Sequence, residues 1–97
     1  MRNYELMFIL QPGLEEDAVV AFVDSLQKIV TDRGGEIINL DRMGMHNLAY
    51  PINKHSQGNY VLLQFSANQE VLVELERTLK LSDDQMRYLI TRMPETA

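Results

Sequence analysis

The 97-residue chain has no cysteine. That excludes a disulfide framework, a thiolate metal site and a cysteine nucleophile, and it suits a reducing cytoplasm. Long apolar runs are missing too. None approaches the roughly 18 residues of a membrane span, and no basic segment followed by an apolar one opens the chain, so neither membrane insertion nor a signal peptide is expected. Positive charge is scarce. Nine Lys and Arg stand against 14 Asp and Glu, for a net charge of −5 and a pI near 4.9. Taken as a sum, this argues against nucleic acid, because phosphate binding is driven by Lys and Arg.

Catalytic spacing is also lacking. His46 and His55 do not stand at the i, i+4 spacing of a helical metal pair, and neither adjoins a carboxylate cluster. Ser25, Ser56, Ser66 and Ser82 have no nucleophile-elbow glycines. Gly34, Gly35 and Gly44 form no phosphate loop, and Asp83 and Asp84 read as solvated turn residues. The expectation is a protein with no catalytic residues, no metal, no cofactor and no small-molecule substrate.

What remains is an ordinary globular composition, 45% apolar and 24% charged, of a size for one domain over residues 1–97. "YELMFIL" reads as a buried strand closed by the turn in "QPGL". From Glu15 to Arg33 the period changes to that of a helix, with Ala18, Val19, Phe22, Val23, Leu26, Ile29 and Val30 on one stripe. Gly34 and Gly35 end it. "EIINL" and "RMGMHNLAYPI" form a second strand, irregular at Gly44, with Pro51 confined to an edge. "NKHSQG" is read as the turn. "NYVLLQF" then makes a third strand, with Tyr60, Leu62 and Gln64 on one face and Val61, Leu63 and Phe65 on the other. A second helix starts at "SANQE", capped by Ser66 or Asn68, and buries Val71, Leu72, Leu75 and Leu79. "MRYLITRM" is the last strand, and Pro94 ends the fold. This order predicts an α+β domain, a split βαβ arrangement of four antiparallel strands with both helices on one face. Right-handed crossovers put the first and third strands in the centre.

All the acids lie outside Arg42–Gln69. This leaves either a simple solubilising pattern or a face kept clear for a partner. Inside that segment, "NLAYPINKHSQGNY" joins a proline-broken apolar run to a turn carrying Lys54 and then to Tyr60. An RNA-recognition module shares the element order, but leucines occupy "QGNYVLLQF" where a second stacking ring belongs, so base stacking on this sheet is not expected.

"MRNYELMFIL", "LAYPINK" followed by "GNYVLLQF", and "MRYLITR" together resemble the bacterial small-subunit ribosomal protein six family, across nearly the whole chain. The resemblance implies a ferredoxin-like βαββαβ domain without catalysis, in the cytoplasm and on the ribosome. It implies binding to the central domain of 16S ribosomal RNA, as a heterodimer with small-subunit ribosomal protein eighteen. Carried over by motif, Arg2 and Tyr4 match the N-terminal pattern. Tyr50, Pro51 and Lys54 match the second strand and turn, Tyr60 the third strand, and Arg87 and Arg92 the last strand. The implied RNA-binding set is therefore Arg2, Tyr4, Tyr50, Lys54, Tyr60, Arg87 and Arg92. For Tyr50 and Tyr60, core packing and RNA contact stay open alike. Two departures matter. Where many members carry basic residues before "LAYP", this chain has Met45, His46 and Asn47, which weakens the case for RNA affinity without a basic partner. The charged C-terminal extension of many members is also missing, so no function of such a tail is expected. The competing class is a small ferredoxin-like regulatory or interaction module that uses its open sheet face. An acylphosphatase-like enzyme ranks below both, because "QPGLEED" offers acids where a phosphate would sit.

Overall fold

The computed structural model describes residues 1–52 and 54–93, in the order β1 (Arg2–Leu10), α1 (Glu16–Asp32), β2 (Glu36–Ile52), β3 (His55–Ala67), α2 (Gln69–Leu81) and β4 (Gln85–Arg92). Pro94 and the tail after it lie outside the described residues, as does Asn53 of the expected turn. The strands pair antiparallel in the order β2-β3-β1-β4. The first and third strands are central, and Pro51 is on an edge strand, as the connection rules require.

Alternation along the central strands separates two faces. Tyr4, Leu6 and Phe8 oppose Phe65, Leu63 and Val61, and opposed residues share a face. All six are buried against the helices. From above come Val19, Val23, Leu26 and Val30 of α1 and Val71, Leu75 and Leu79 of α2, each at most 3% exposed. This is the period-3.6 stripe expected from the sequence, with one correction. Ala18 is exposed. It shares its flank of the helix with Phe22, whose ring reaches Phe8 at 5.7 Å between centroids, whereas a methyl group at the same angle is too short to reach the core. α1 stops where Gly34 and Gly35 donate their N–H groups to the carbonyls of Thr31 and Val30, at 3.2 and 2.9 Å, a Schellman turn. Asn68 is the N-cap residue of α2, while Ser66 remains in β3.

The β2–β3 hairpin departs most from expectation. His55–Gly58 was expected to be turn, yet β3 begins at His55, which opposes Ile52. Asn47 opposes Gln57 and His46 opposes Gly58, so ladder pairing continues through polar sequence. β1 pairs only with Asn59–Ala67 of β3, so this part of the hairpin extends past the β1 ladder, and its Ser56 and Gln57 are exposed. Polarity there signals solvent, not a turn.

β2 is interrupted three times. Its register shifts between Ile37 and Asn39, between Arg42 and Gly44, and between Asn47 and Ile52. Gly44 has φ 83°, a conformation that glycine adopts at little cost, and it carries the irregularity expected there. The last interruption is the largest, with Leu48–Pro51 opposite Ser56 alone. Pro51 has no N–H to give a ladder, so the chain arches away from the sheet at this point.

Candidate nucleic-acid interface

The sheet face opposite the helices is built in rows across the strands. Gly44, Tyr60, Ile9 and Arg87 form one row, Asp41, Leu62, Met7 and Leu89 the next, and Asn39, Gln64, Glu5 and Thr91 a third. The third row is polar, and Gln64 Nε2 donates to Glu5 Oε2 at 3.0 Å. The second has an apolar band, with Leu89 57% exposed and Met7 and Leu62 half-buried.

The first row is covered by the Leu48–Pro51 arch. Ile9 is only 6% exposed although no helix lies on its side. It forms the floor of a cleft of about 120 Å³ lined also by Leu48, Ala49, Tyr50, Ile52, Tyr60 and Arg87. The Arg87 guanidinium carbon stands 6.0 Å from the centroid of the Tyr50 ring. His46 packs edge-on against Tyr60, with centroids 5.4 Å apart, and its Nε2 lies 3.0 Å from the Met43 carbonyl. Gly58 is buried where the hairpin passes Ile9 and Met86, and a Cβ there would collide with Ile9 Cγ2. The open face is thus bare over the apolar band and roofed at the hairpin end.

The residues implied by the resemblance fall into two groups. Tyr50, Tyr60 and Arg87 line one cleft, and Lys54 stands apart from them at the hairpin tip, just before β3 begins at His55. Tyr50 is 61% exposed and Tyr60 half-buried, so Tyr60 packs in the floor while Tyr50 lies on the surface. Arg2, Tyr4 and Arg92 are elsewhere. Tyr4 opposes Arg92, and Arg2 opposes Ala67, on the helix side and at the far end of β1. From Tyr4 to Ile9 the strand rises roughly 17 Å. Tyr4 is 8% exposed, with its ring on Phe65 at 5.8 Å, and belongs to the core. Arg92 lines a helix-side cleft with Gln69, Leu72 and Glu76.

Arg42, a further cation near the hairpin, is on the helix side opposite Val61. Its guanidinium grips Glu16 with both terminal nitrogens, Nη2 to Oε2 at 3.0 Å. That hydrogen bond holds the Glu16 carboxyl below its ordinary value and raises Arg42 above its own. Arg42 is therefore neutralised locally. The sequence reading gave no site role to His46, Leu48 or Ala49, and named the open sheet face without its Met7–Leu62–Leu89 band. The band was legible as matching positions on three strands, once their register was known. The arch was signalled only by Pro51.

The chain matches the family described as ribosomal protein S6 over residues 3–92. It belongs to the ribosomal protein S6 family. The match runs from the start of β1 through β4, so it includes every element of the fold. The small ribosomal subunit protein bS6 of Moorella thermoacetica is 45% identical over 100% of this chain and 99% of its own. That of Desulforamulus reducens is 43% identical over 98% and 100%. The crystal structure of 30S ribosomal protein S6 from Thermotoga maritima superposes with a TM-score of 0.89 at 33% identity, covering 95% of this chain and 87% of that one. An Arabidopsis thaliana protein with a TM-score of 0.57 shares only 9% identity. That likeness is one of fold alone, and fold does not carry function. S6 family membership rests on sequence, and the S6 fold is the one the element order predicted.

Proposed function

We propose that this S6 family member is a non-catalytic component of the small ribosomal subunit, in the cytoplasm on the ribosome. It binds the central domain of 16S ribosomal RNA as a heterodimer with small-subunit ribosomal protein eighteen. Beyond family membership, the observation that supports this reading is a division of the surface. The hairpin end carries Lys54 and Tyr50 on a segment, and Arg87 on a strand, that hold no acid of their own, beside the apolar band of Met7, Leu62 and Leu89. The hairpin end faces RNA, with Lys54 on phosphate. The band is the dry part of the contact with the basic partner, and the β4 edge offers it backbone hydrogen bonds. Arg2 and Arg92, on the other face, would serve a second RNA contact.

Charge sets the order of events. A chain of net charge −5 is repelled by RNA until the surfaces approach within a Debye length of about 8 Å. Met45, His46 and Asn47 add no fixed positive charge to the hairpin. A strongly basic partner on the apolar band reverses the sign of the joint surface, so the heterodimer forms first and the pair binds RNA. Filter binding to a central-domain 16S RNA fragment at moderate salt tests this, with tight binding expected only when the partner is present. Equal binding by the isolated chain would remove the partner-first order. If a pull-down from bacterial lysate recovered neither ribosomal RNA nor a basic ribosomal protein, the regulatory-module alternative would stand instead.

A further inference from the structure

Tyr50 and Arg87 belong to opposite edges of the sheet. Two strands lie between β2 and β4, a separation of about 14 Å at ordinary strand spacing. Yet the Arg87 guanidinium carbon is 6.0 Å from the Tyr50 ring centroid. Only the register break makes this possible, because the Leu48–Pro51 arch leaves the ladder and crosses over Tyr60 and Ile9. Arg87 opposes Ile9 directly, so it stands at the far wall of the cleft that the arch covers. Among the described residues no carboxylate forms an ion pair with Arg87, and the ring of Tyr50 is what its cation meets. Beyond the arch the chain continues directly into the hairpin tip, where Lys54 is held at φ 68°. The arch is tied down at one end by the Asn47–Gln57 pair, whose side chains bond at 3.1 Å, at the other by the pairing of Ile52 with His55, and in its middle by Arg87.

We propose that Arg87 is a positioning residue for RNA binding, acting through Tyr50. Its cation–π contact with that ring holds the arch across the sheet and fixes the direction in which the hairpin presents Lys54. This rests on the RNA-binding reading above and gives Arg87 a different task from Lys54, which meets phosphate as a charge. The two tasks leave different signatures. Loss of a phosphate contact lowers the salt slope of binding by about one contact. Loss of a positioning contact weakens binding by a similar factor at every salt concentration, because the hairpin must then be ordered on the RNA.

The test is the affinity of the heterodimer for the central-domain RNA fragment across a salt series, with hydrogen exchange of the hairpin amides in the free chain. Arg87→Lys keeps the charge and removes the guanidinium that faces the Tyr50 ring. It is expected to weaken binding roughly two- to fivefold, the factor that corresponds to an exposed cation–π contact, with an unchanged salt slope. Tyr50→Leu is expected to do the same, Tyr50→Phe to retain affinity, and the Arg87→Lys, Tyr50→Leu double variant to lose no more than either alone. Hairpin amides should exchange faster in Arg87→Lys and in Tyr50→Leu. Full affinity in Arg87→Lys together with a reduced salt slope in Arg87→Met would make Arg87 a phosphate ligand and overturn the inference. Additive losses in the double variant, or hairpin exchange unchanged in both singles, would overturn it equally. Failure of the wild-type heterodimer to bind this RNA at all would remove the RNA reading, and the inference with it. Normal wild-type binding with no loss in Arg87→Lys would remove the inference alone.

Discussion

Lys54 is the non-glycine residue with positive φ among those described, at 68°. The left-handed conformation costs an L-residue roughly 1–2 kcal/mol, and glycine or asparagine is the usual choice for such a tip. A lysine there costs stability that glycine would not. Two substitutions separate the backbone from the charge. Lys54→Ala keeps the strain and should change stability by less than about 0.5 kcal/mol. Lys54→Gly relieves it and should hold or raise stability by up to about 1 kcal/mol, after glycine's greater chain entropy is counted. Both should lower the salt slope of heterodimer–RNA binding by about one phosphate contact. An unchanged slope in both would take Lys54 out of the interface. Glu16 poses a different question. Its carboxyl is held below its ordinary value by the hydrogen bond from Arg42. What that pair contributes is therefore fully present above the ordinary carboxyl value and is lost as pH falls through the lowered one. Urea midpoints measured down the acid limb should fall less steeply for Glu16→Gln than for the wild type.

At the scale of elements, the helices and central strands were legible because each carries one unbroken period. Leu26 and Leu75 sit mid-stripe, and both are 0% exposed. Replacing either with Ala should cost about 2–5 kcal/mol in denaturant unfolding, and a loss far below that would contradict the packing of the helix concerned. β2 was legible only in part. A strand whose register shifts three times carries no single alternation, so Ile38 and Met43, 50% and 42% exposed, look in sequence like core residues. The hairpin tip misled for the opposite reason, since Ser56 and Gln57 are exposed although they belong to a strand. The site was legible as far as motif allowed. Tyr50, Tyr60 and Arg87 share a cleft and Lys54 is at the hairpin tip beyond it, while Tyr4 lies on the core side because strand parity, invisible in a motif, puts it there. Gly58 shows how tightly the hairpin is seated. Gly58→Ala would press a methyl group into Ile9 and Met86 and should cost about 1–3 kcal/mol, with RNA affinity falling as well because the hairpin is displaced.

At the scale of the molecule, the uneven placement of acids does more than lower the pI. It frees the Arg42–Gln69 segment of acids, while Glu16 at the start of α1 and Asp83 and Asp84 before β4 stand at the same end of the sheet, where they bond Arg42 and Gln11. The interruptions of β2 have a consequence for behaviour at high concentration. An edge strand is a template on which a second copy can add, and edge-to-edge growth is a common route to aggregation. Bulges at Ile38 and Met43 and the arch at Leu48–Pro51 cut the β2 edge into pieces too short and too twisted to template another strand. The β4 edge, regular from Ile9 to Tyr4 in its pairing with β1, is guarded by Arg87 and Arg92, whose like charges oppose stacking of a second β4. The irregularities that hid β2 from its sequence thus also break up the edge on which a second copy of this chain could add.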